Sequence, residues 1–139
     1  MKQLLRTAAD PAIWLIRLMV GAVFLSEGLQ KFLFPATRGA GRFAKIGLPS
    51  PELLGAFVGG CEVVCGLLLL LGLMTRVAAF PLLVIMIVAL ATTKLPLLTD
   101  EGFWTMAHEA RTDWAMLLGT VFLIWKGGGA WSWDRRLLH

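Results

Sequence analysis

Residues 21–34, GAVFLSEGLQKFLF, combine the apolar character of a membrane-spanning helix with two charged side chains, Glu27 and Lys31. A charged residue at the centre of a spanning helix costs ~2.5–3.5 kcal/mol, even on the lenient insertion scale. Both side chains are therefore expected to face protein, water or each other. The stretch predicts a membrane helix with one polar face.

The composition of the whole chain agrees with a membrane protein. Of its 139 residues, 58% are hydrophobic and 16% are charged, against about 25% charged residues in an average chain. The mean hydropathy is +0.75. The net charge of +4 comes from scattered basic residues, which favours contact with lipid headgroups and predicts no nucleic-acid partner.

Four segments are long enough for spans of roughly 20 residues, and they are predicted at 12–34, 51–73, 77–95 and 103–125. Asp10-Pro11 and Ser50-Pro51 are typical helix starts, and Pro96 is expected to end the third span. The predicted fold is an all-α, antiparallel bundle of four transmembrane helices in a single domain, 1–139. Basic residues divide evenly between its two ends, so the positive-inside rule leaves its orientation open.

The first loop, PATRGAGRFAKIGLPSPE at residues 35–52, is rich in Gly and Pro. It contains a short amphipathic stretch, RFAKIGL. We expect an interfacial or re-entrant segment there, between the first two helices.

The first helix has a polar, small-residue face. On a wheel of 100° per residue, four residues fall within about 40° of Arg17: Gly21, Phe24, Gly28 and Lys31. Glu27 lies on the flank of this stripe. In the second helix, a similar stripe contains Gly55, Gly59, Glu62 and Gly66, and small residues at this spacing let helices approach closely in lipid.

Two pairings of the charged groups follow from these wheels. Arg17 is expected to reach towards Glu62, and Glu27 to pair with Lys31 along the helix; Lys31 near its helix end could instead extend to the membrane surface. Intramembrane charges of this kind either line a functional polar cavity or fix which helix packs on which. The sequence leaves both readings open.

Cys61 and Cys65 in GGCEVVCG, residues 59–66, are one helical turn apart. Their Cβ atoms would be ~5–6 Å apart, too far for a disulfide. Only His108 and His139 could join them as metal ligands, so no metal site is predicted. Packing is the main interpretation, with a functional thiol as the alternative.

The start of the fourth span carries His108, Glu109, Arg111 and Asp113. These residues form either a solvated helix start or, through Asp113, one end of the cavity. A haem with two histidine ligands is not supported, because the spans contain no second histidine. No covalently bound cofactor is expected.

Three stretches resemble the DoxX family: LIRLMVGAVFLSEGLQKFLFP, GRFAKIGLPSPELLGAFVGGCEVVCGLLLLLGLMTRVAAFPLL and GGGAWSWD. The resemblance rests on their order and spacing and covers nearly the whole chain. It implies a bacterial cytoplasmic (inner) membrane protein with both termini in the cytoplasm.

The resemblance also carries a set of pattern positions over to this chain: Arg17, Gly21, Gly28, Lys31, Gly47, Pro49, Glu62, Gly66, Arg76, Ser132 and Asp134. Glu27 departs from the pattern, since many relatives have histidine there. Cys61 and Cys65 also lie outside it.

The function that the resemblance implies is a redox-associated membrane subunit that faces a quinone and works with a soluble or membrane-bound redox partner. Arg17 and Glu62 would then serve as proton donor and acceptor in a cavity. One alternative is a non-catalytic scaffold for a partner enzyme. Another is a small-molecule or proton pathway, for which so short a chain would need to form a homodimer.

Overall fold

The computed structural model describes residues 5–8 and 10–137 of the chain. Every regular element within those ranges is helical, as predicted. In chain order they are α1 (Ile13–Leu33), α2 (Pro35–Arg38), α3 (Ala40–Lys45), α4 (Pro51–Leu71), α5 (Thr75–Ala89), a π-helical turn (Leu90–Lys94), α6 (Leu95–Asp100), α7 (Phe103–Glu109), α8 (Arg111–Lys126) and α9 (Trp133–Leu137).

Three of the described helices are long and apolar enough to cross a membrane: Ile13–Leu33, Pro51–Leu71 and the continuous run Thr75–Asp100. The first two agree with the predicted spans to within two residues. Pro51 lies in the first turn of α4, where its missing N–H leaves no helical bond unmade. Gly72 ends α4 with φ of 72°, a left-handed conformation that glycine adopts without steric cost.

The third helix corrects the sequence prediction, because it continues through Pro96 instead of ending there. In its π-helical turn, the Leu95 N–H donates to the Leu90 carbonyl, five residues back. The helix resumes as α6 after this wider turn. Pro96 therefore falls in the first turn of α6, where a missing N–H costs least.

The predicted single helix 103–125 is also corrected, since Ala110 separates α7 from α8. Ala110 has φ of −88° and ψ of 0°, which does not continue an α-helix. The Arg111 guanidinium donates to the His108 carbonyl at 2.6 Å, a group in the last turn of α7. The remaining α8 has 16 residues, about 24 Å, and packs against α5 and α1.

Four glycines bring α1 and α4 into close contact, the most extensive packing between helices in the described chain. A Cβ atom on Gly21 would lie 3.0 Å from the Gly66 carbonyl oxygen, and one on Gly28 would lie 2.8 Å from the Gly59 carbonyl oxygen. The contacting residues therefore run in opposite order along the two helices. Small residues permit this approach, which replaces the hydrophobic driving force that is missing in lipid.

The packed core and the outer surface of the helices are both rich in apolar side chains. Phe24, Leu69, Leu82 and Leu123 form a buried core among α1, α4, α5 and α8. Large apolar side chains such as Leu15, Val64, Ile87 and Leu118 are exposed on the outer helix faces. A surface of this kind is suited to contact with lipid chains.

Residues 35–48, named here the cover segment, contain α2 and α3 and lie against the start of α4. Gly55 makes this contact possible, since a Cβ atom there would lie 2.9 Å from the Ala40 nitrogen. Gly55 therefore contacts the cover segment, whereas the other glycines of the α4 stripe contact α1. The segment stands where the sequence predicted an interfacial or re-entrant element.

Candidate functional site

A cavity of about 910 Å³ lies at the end of the helices that carries the cover segment. Residues of α1, α4, α5, the π-helical turn and α8 form its walls, and the cover segment lies across it. Five of the candidate residues predicted from the sequence line this cavity: Glu27, Lys31, Glu62, Glu109 and Asp113. The remaining lining is mostly apolar and includes Phe24, Val58 and Met116.

The central polar feature of the cavity is an ion pair between α1 and α4. Lys31 Nζ lies 2.8 Å from Glu62 Oε1, and the side chains are 11% and 2% exposed. The expected pairings, Arg17 with Glu62 and Glu27 with Lys31, are therefore wrong. Lys31 does not extend to the membrane surface either, because its ammonium group reaches the buried carboxylate.

The direction of the side chains explains this pairing. Helical side chains tilt towards the N-terminus of their helix. The long Lys31 side chain thus reaches back towards the level of Gly28, where α1 meets Gly59 and Val63 of α4. Glu62 lies at that level, so the ammonium and the carboxylate meet.

A second ion pair joins the π-helical turn to α8 across the cavity. Lys94 Nζ lies 3.4 Å from Asp113 Oδ2, with side chains 16% and 21% exposed. The sequence pattern did not single out Lys94, which falls at the end of the predicted third span, 77–95. Its one available signal was its position between two apolar runs, 77–91 and 95–98.

The charges that line the cavity balance one another. Four are acidic and four are basic: Glu27, Glu62, Glu109 and Asp113 against Lys31, Arg38, Arg42 and Lys94. Arg38 and Arg42 belong to the cover segment, and the Arg38 guanidinium also donates to the Gln30 side-chain oxygen. Beyond its two ion pairs, the cavity lining thus holds two arginines and two carboxylates, and all four residues are exposed.

Arg17 lies at the opposite end of α1 and does not line the cavity. It is buried, and Nη1 donates to the carbonyl oxygens of Leu69 at 3.1 Å and Leu70 at 3.4 Å. Nη2 donates to the Trp131 carbonyl. Arg17 therefore ties the last turn of α4 to the C-terminal region, since the carbonyls at a helix C-terminus lack helical partners.

Asp134 performs a similar task for the start of α5. Its two carboxylate oxygens accept from the Met74 N–H at 2.6 Å and the Thr75 N–H at 2.8 Å. The Asp134 N–H donates to the Gly72 carbonyl at 2.9 Å. Asp134 is thus an N-terminal cap supplied from 59 residues further along the chain.

Comparison of the sequence with known families and proteins identifies the relatives of this chain. The family model DoxX matches residues 12–95. The chain belongs to the DoxX family. It is also 53% identical to the uncharacterized membrane protein Rv3486 of Mycobacterium tuberculosis, in an alignment covering 97% of this chain and 86% of the relative. No solved structure gives a significant match.

The DoxX match includes the Lys31–Glu62 pair, Glu27 and Lys94, and it stops before Asp113 and Asp134. With the spanning helices described above, family membership establishes an integral membrane protein whose outer surface contacts lipid.

The remaining candidate residues of this DoxX chain lie away from the cavity lining. Cys61 and Cys65 are free thiols on α4, and His108 is exposed on α7. Among the described residues, no group of three or more His, Cys, Asp or Glu side chains is arranged to hold a metal ion. His139 lies outside the described residues.

Proposed function

We propose that this chain is a membrane-embedded subunit located in the bacterial cytoplasmic (inner) membrane. It forms an antiparallel four-helix bundle in which α8 is the fourth span. Two contacts support the fourth span. α8 packs against α5 and α1, and Gly119 approaches Val20 so closely that a Cβ atom would lie 2.6 Å from its Cγ2. Four spans place both termini on one side, which we assign to the cytoplasm.

We further propose that the cavity binds a quinone-like molecule and that the chain works with a redox partner. The observation that carries this proposal is the Lys31–Glu62 pair in an otherwise largely apolar cavity. Its volume of about 910 Å³ falls in the range of small-molecule sites, ~300–1,000 Å³. Apolar walls with a few convergent polar groups suit a flat ring that carries carbonyl oxygens.

Each polar group has a defined task in this proposal. The Lys31 ammonium donates a hydrogen bond to a quinone carbonyl oxygen. Reduction of a quinone consumes two electrons and two protons per ring; the partner oxidoreductase supplies the electrons. Glu27 takes up protons from water, because its side chain is exposed at the edge of the cavity. The Glu62 carboxylate accepts each proton before it passes to a ring oxygen.

Calorimetric titration of the purified protein with a short-chain benzoquinone tests the proposal. The double variant Lys31→Met/Glu62→Leu removes both charges and leaves neither one buried alone, so the fold is expected to persist. Loss of a hydrogen bond to a charged group costs ~1.5–3 kcal/mol, and binding should weaken by about tenfold or more. The matched control, Lys45→Met/Glu52→Leu, changes two exposed charges outside the cavity lining.

Two results would contradict the quinone proposal. One is the absence of saturable binding to the wild-type protein. The other is equal affinity in the double variant and its matched control, since the ligand would then make no use of the ion pair.

A scaffold for a partner enzyme is the second candidate function. It is favoured by the way Arg17 and Asp134 join helix ends to the C-terminal region, which describes a rigid support. In that case, co-purification of the partner should survive in Lys31→Met/Glu62→Leu and fall when Arg17 or Asp134 is replaced. Under the quinone proposal, ligand binding should instead fall in Lys31→Met/Glu62→Leu and survive when Arg17 or Asp134 is replaced.

A further inference from the structure

The exposed residues of the cavity lining fall into two groups of different chemistry. At the polar edge of the cavity, the exposed lining residues are Glu27, Arg38, Arg42 and Glu109. At a second edge, three large apolar side chains line the cavity and are also exposed on the outer surface: Phe57 at 65%, Val84 at 46% and Val88 at 45%. These three residues define what we call the lateral gap, between α4 and α5.

The position of the lateral gap follows from the connection between the two helices. The tight turn at Gly72 joins α4 to α5. Phe57 precedes this turn by 15 residues and Val84 follows it by 12, roughly 22 Å and 18 Å along the helices. The gap thus lies at the ends of α4 and α5 far from their connection, where α1 and α8 supply the opposite wall.

In a membrane protein, an exposed apolar edge on two spanning helices faces lipid chains. A charged or strongly hydrated ligand would not cross this edge, because transfer of polar groups into hydrocarbon is costly. A molecule already dissolved in the bilayer would cross it without leaving its apolar surroundings.

The charge balance of the lining limits the head group of such a molecule. Four acidic and four basic side chains face the cavity, and the two most enclosed pairs, Lys31–Glu62 and Lys94–Asp113, each sum to zero. A net charge on the ligand would find no opposite excess there. A head group that is polar and carries no net charge suits this interior.

We propose that the cavity takes its ligand from within the bilayer, through the lateral gap. The ligand class is a lipid without net charge, its polar head at the Lys31–Glu62 pair and its apolar tail between Phe57 and Val84. This inference rests on the proposed quinone site for the identity of the head group. The route through the gap is argued from the apolar edge alone.

A photoreactive lipid tests the route directly. The full-length protein is placed in vesicles of phosphatidylcholine that contain a small fraction of phosphatidylcholine with a diazirine near the end of one acyl chain. After illumination, labelled residues are mapped by mass spectrometry. Phe24 and Met116 report entry, because both line the cavity and are buried, and Val64 reports ordinary contact with lipid, because it is exposed and lies outside the lining.

A matched pair of variants on α5 identifies the gap. Val84→Trp fills it, whereas Ile87→Trp places the same bulk at a residue that is 52% exposed and outside the lining. Labelling of Phe24 and Met116 is expected in the wild type and in Ile87→Trp, and should fall several-fold in Val84→Trp while labelling of Val64 stays unchanged. The proposal would be overturned if labelling were confined to Val64. It would also be overturned if Phe24 and Met116 were labelled equally in Val84→Trp and Ile87→Trp.

Quinones with long and short tails distinguish entry through the lateral gap from quinone binding itself. A quinone with a long prenyl tail and a short-chain analogue are both titrated against the two tryptophan variants. Weaker binding of the long-tailed form alone in Val84→Trp supports entry through the gap. If neither quinone binds the wild type while Phe24 and Met116 are still labelled, the quinone proposal fails and the lateral route stands, with a lipid acyl chain as its occupant.

Discussion

The Lys31 ammonium and the Glu62 carboxylate, 2.8 Å apart, join α1 to α4 inside a cavity whose remaining lining is mostly apolar. Glycines bring the two helices together near this contact, with Gly28 against Gly59 and Gly21 against Gly66. The close approach of the backbones sets the register that brings the two charges together. Packing and polar chemistry in this protein therefore depend on each other.

Lys31→Met is expected to destabilise the protein strongly, because it leaves the Glu62 carboxylate buried without its partner. Breaking a buried pair in this way costs ~3–5 kcal/mol. The double variant Lys31→Met/Glu62→Leu should recover most of the loss. Unfolding by SDS in mixed micelles measures both free energies, with Lys45→Met as an exposed control within ~0.5 kcal/mol of wild type. A single variant as stable as the double variant would show that the pair is not formed.

Gly28→Ala is expected to weaken the packing of α1 on α4. Its Cβ atom would lie 2.8 Å from the Gly59 carbonyl oxygen and from the Val63 nitrogen, both backbone atoms. Gly60→Ala is the matched control, since a Cβ atom there meets nothing within 4 Å. The control should be neutral or more stable by up to ~1 kcal/mol through helix propensity. Thermal unfolding of the two variants in the same detergent distinguishes these outcomes, and an equal rise in stability would contradict the described interface.

Arg17→Lys keeps the charge and should still lower the free energy of unfolding by ~1.5–3 kcal/mol, the range for hydrogen bonds to charged groups. A lysine has a single donor group and would not reach the carbonyls of both α4 and Trp131 at once. Arg111→Lys, at an exposed site on α8, should stay within ~0.5 kcal/mol of wild type. Unfolding by SDS in mixed micelles measures the stability of both variants. Equal stability of Arg17→Lys and Arg111→Lys would contradict the role assigned to Arg17.

Asp134→Asn should destabilise the start of α5, because an asparagine has one side-chain acceptor oxygen for the two N–H groups of Met74 and Thr75. The amide nitrogen would face the other N–H as a second donor. An unpaired buried donor costs ~1–3 kcal/mol. Hydrogen exchange at residues 74 and 75 should accelerate relative to wild type, while Asp100→Asn, at an exposed site, leaves it unchanged. Unaltered exchange in Asp134→Asn would contradict the cap.

Much of the fold was accessible from the pattern of residues. Pro51 located the start of α4, because its fixed φ and missing N–H suit the first turn. The start expected at Asp10-Pro11 was displaced, since α1 begins at Ile13 with Ala12 as its N-cap. The same rule misplaced the end of the third span at Pro96. A π-helical turn depends on the hydrogen bonds of neighbouring residues along the folded helix, and residue type alone does not specify it.

The candidate site was accessible in part. The helical wheels placed Lys31 and Glu62 on inward faces and Glu27 on the flank of one, and the structure brings all three to one cavity. The wheels also placed Arg17 with them, although it binds helix-end carbonyls near the termini. A wheel gives the direction of a side chain around the helix axis, and the position along that axis comes from the contact between helices.

By itself, the sequence determined that the chain enters a membrane, which faces of its first two helices turn inward and to which family it belongs. These properties follow from composition, period and motif order, all local to the chain. Only the tertiary structure decided that Lys31 meets Glu62, that Lys94 meets Asp113 and that Asp134 caps a helix that begins 59 residues earlier. Such pairings depend on the relative shift of packed helices, and that shift is set by close backbone contacts between residues distant in sequence.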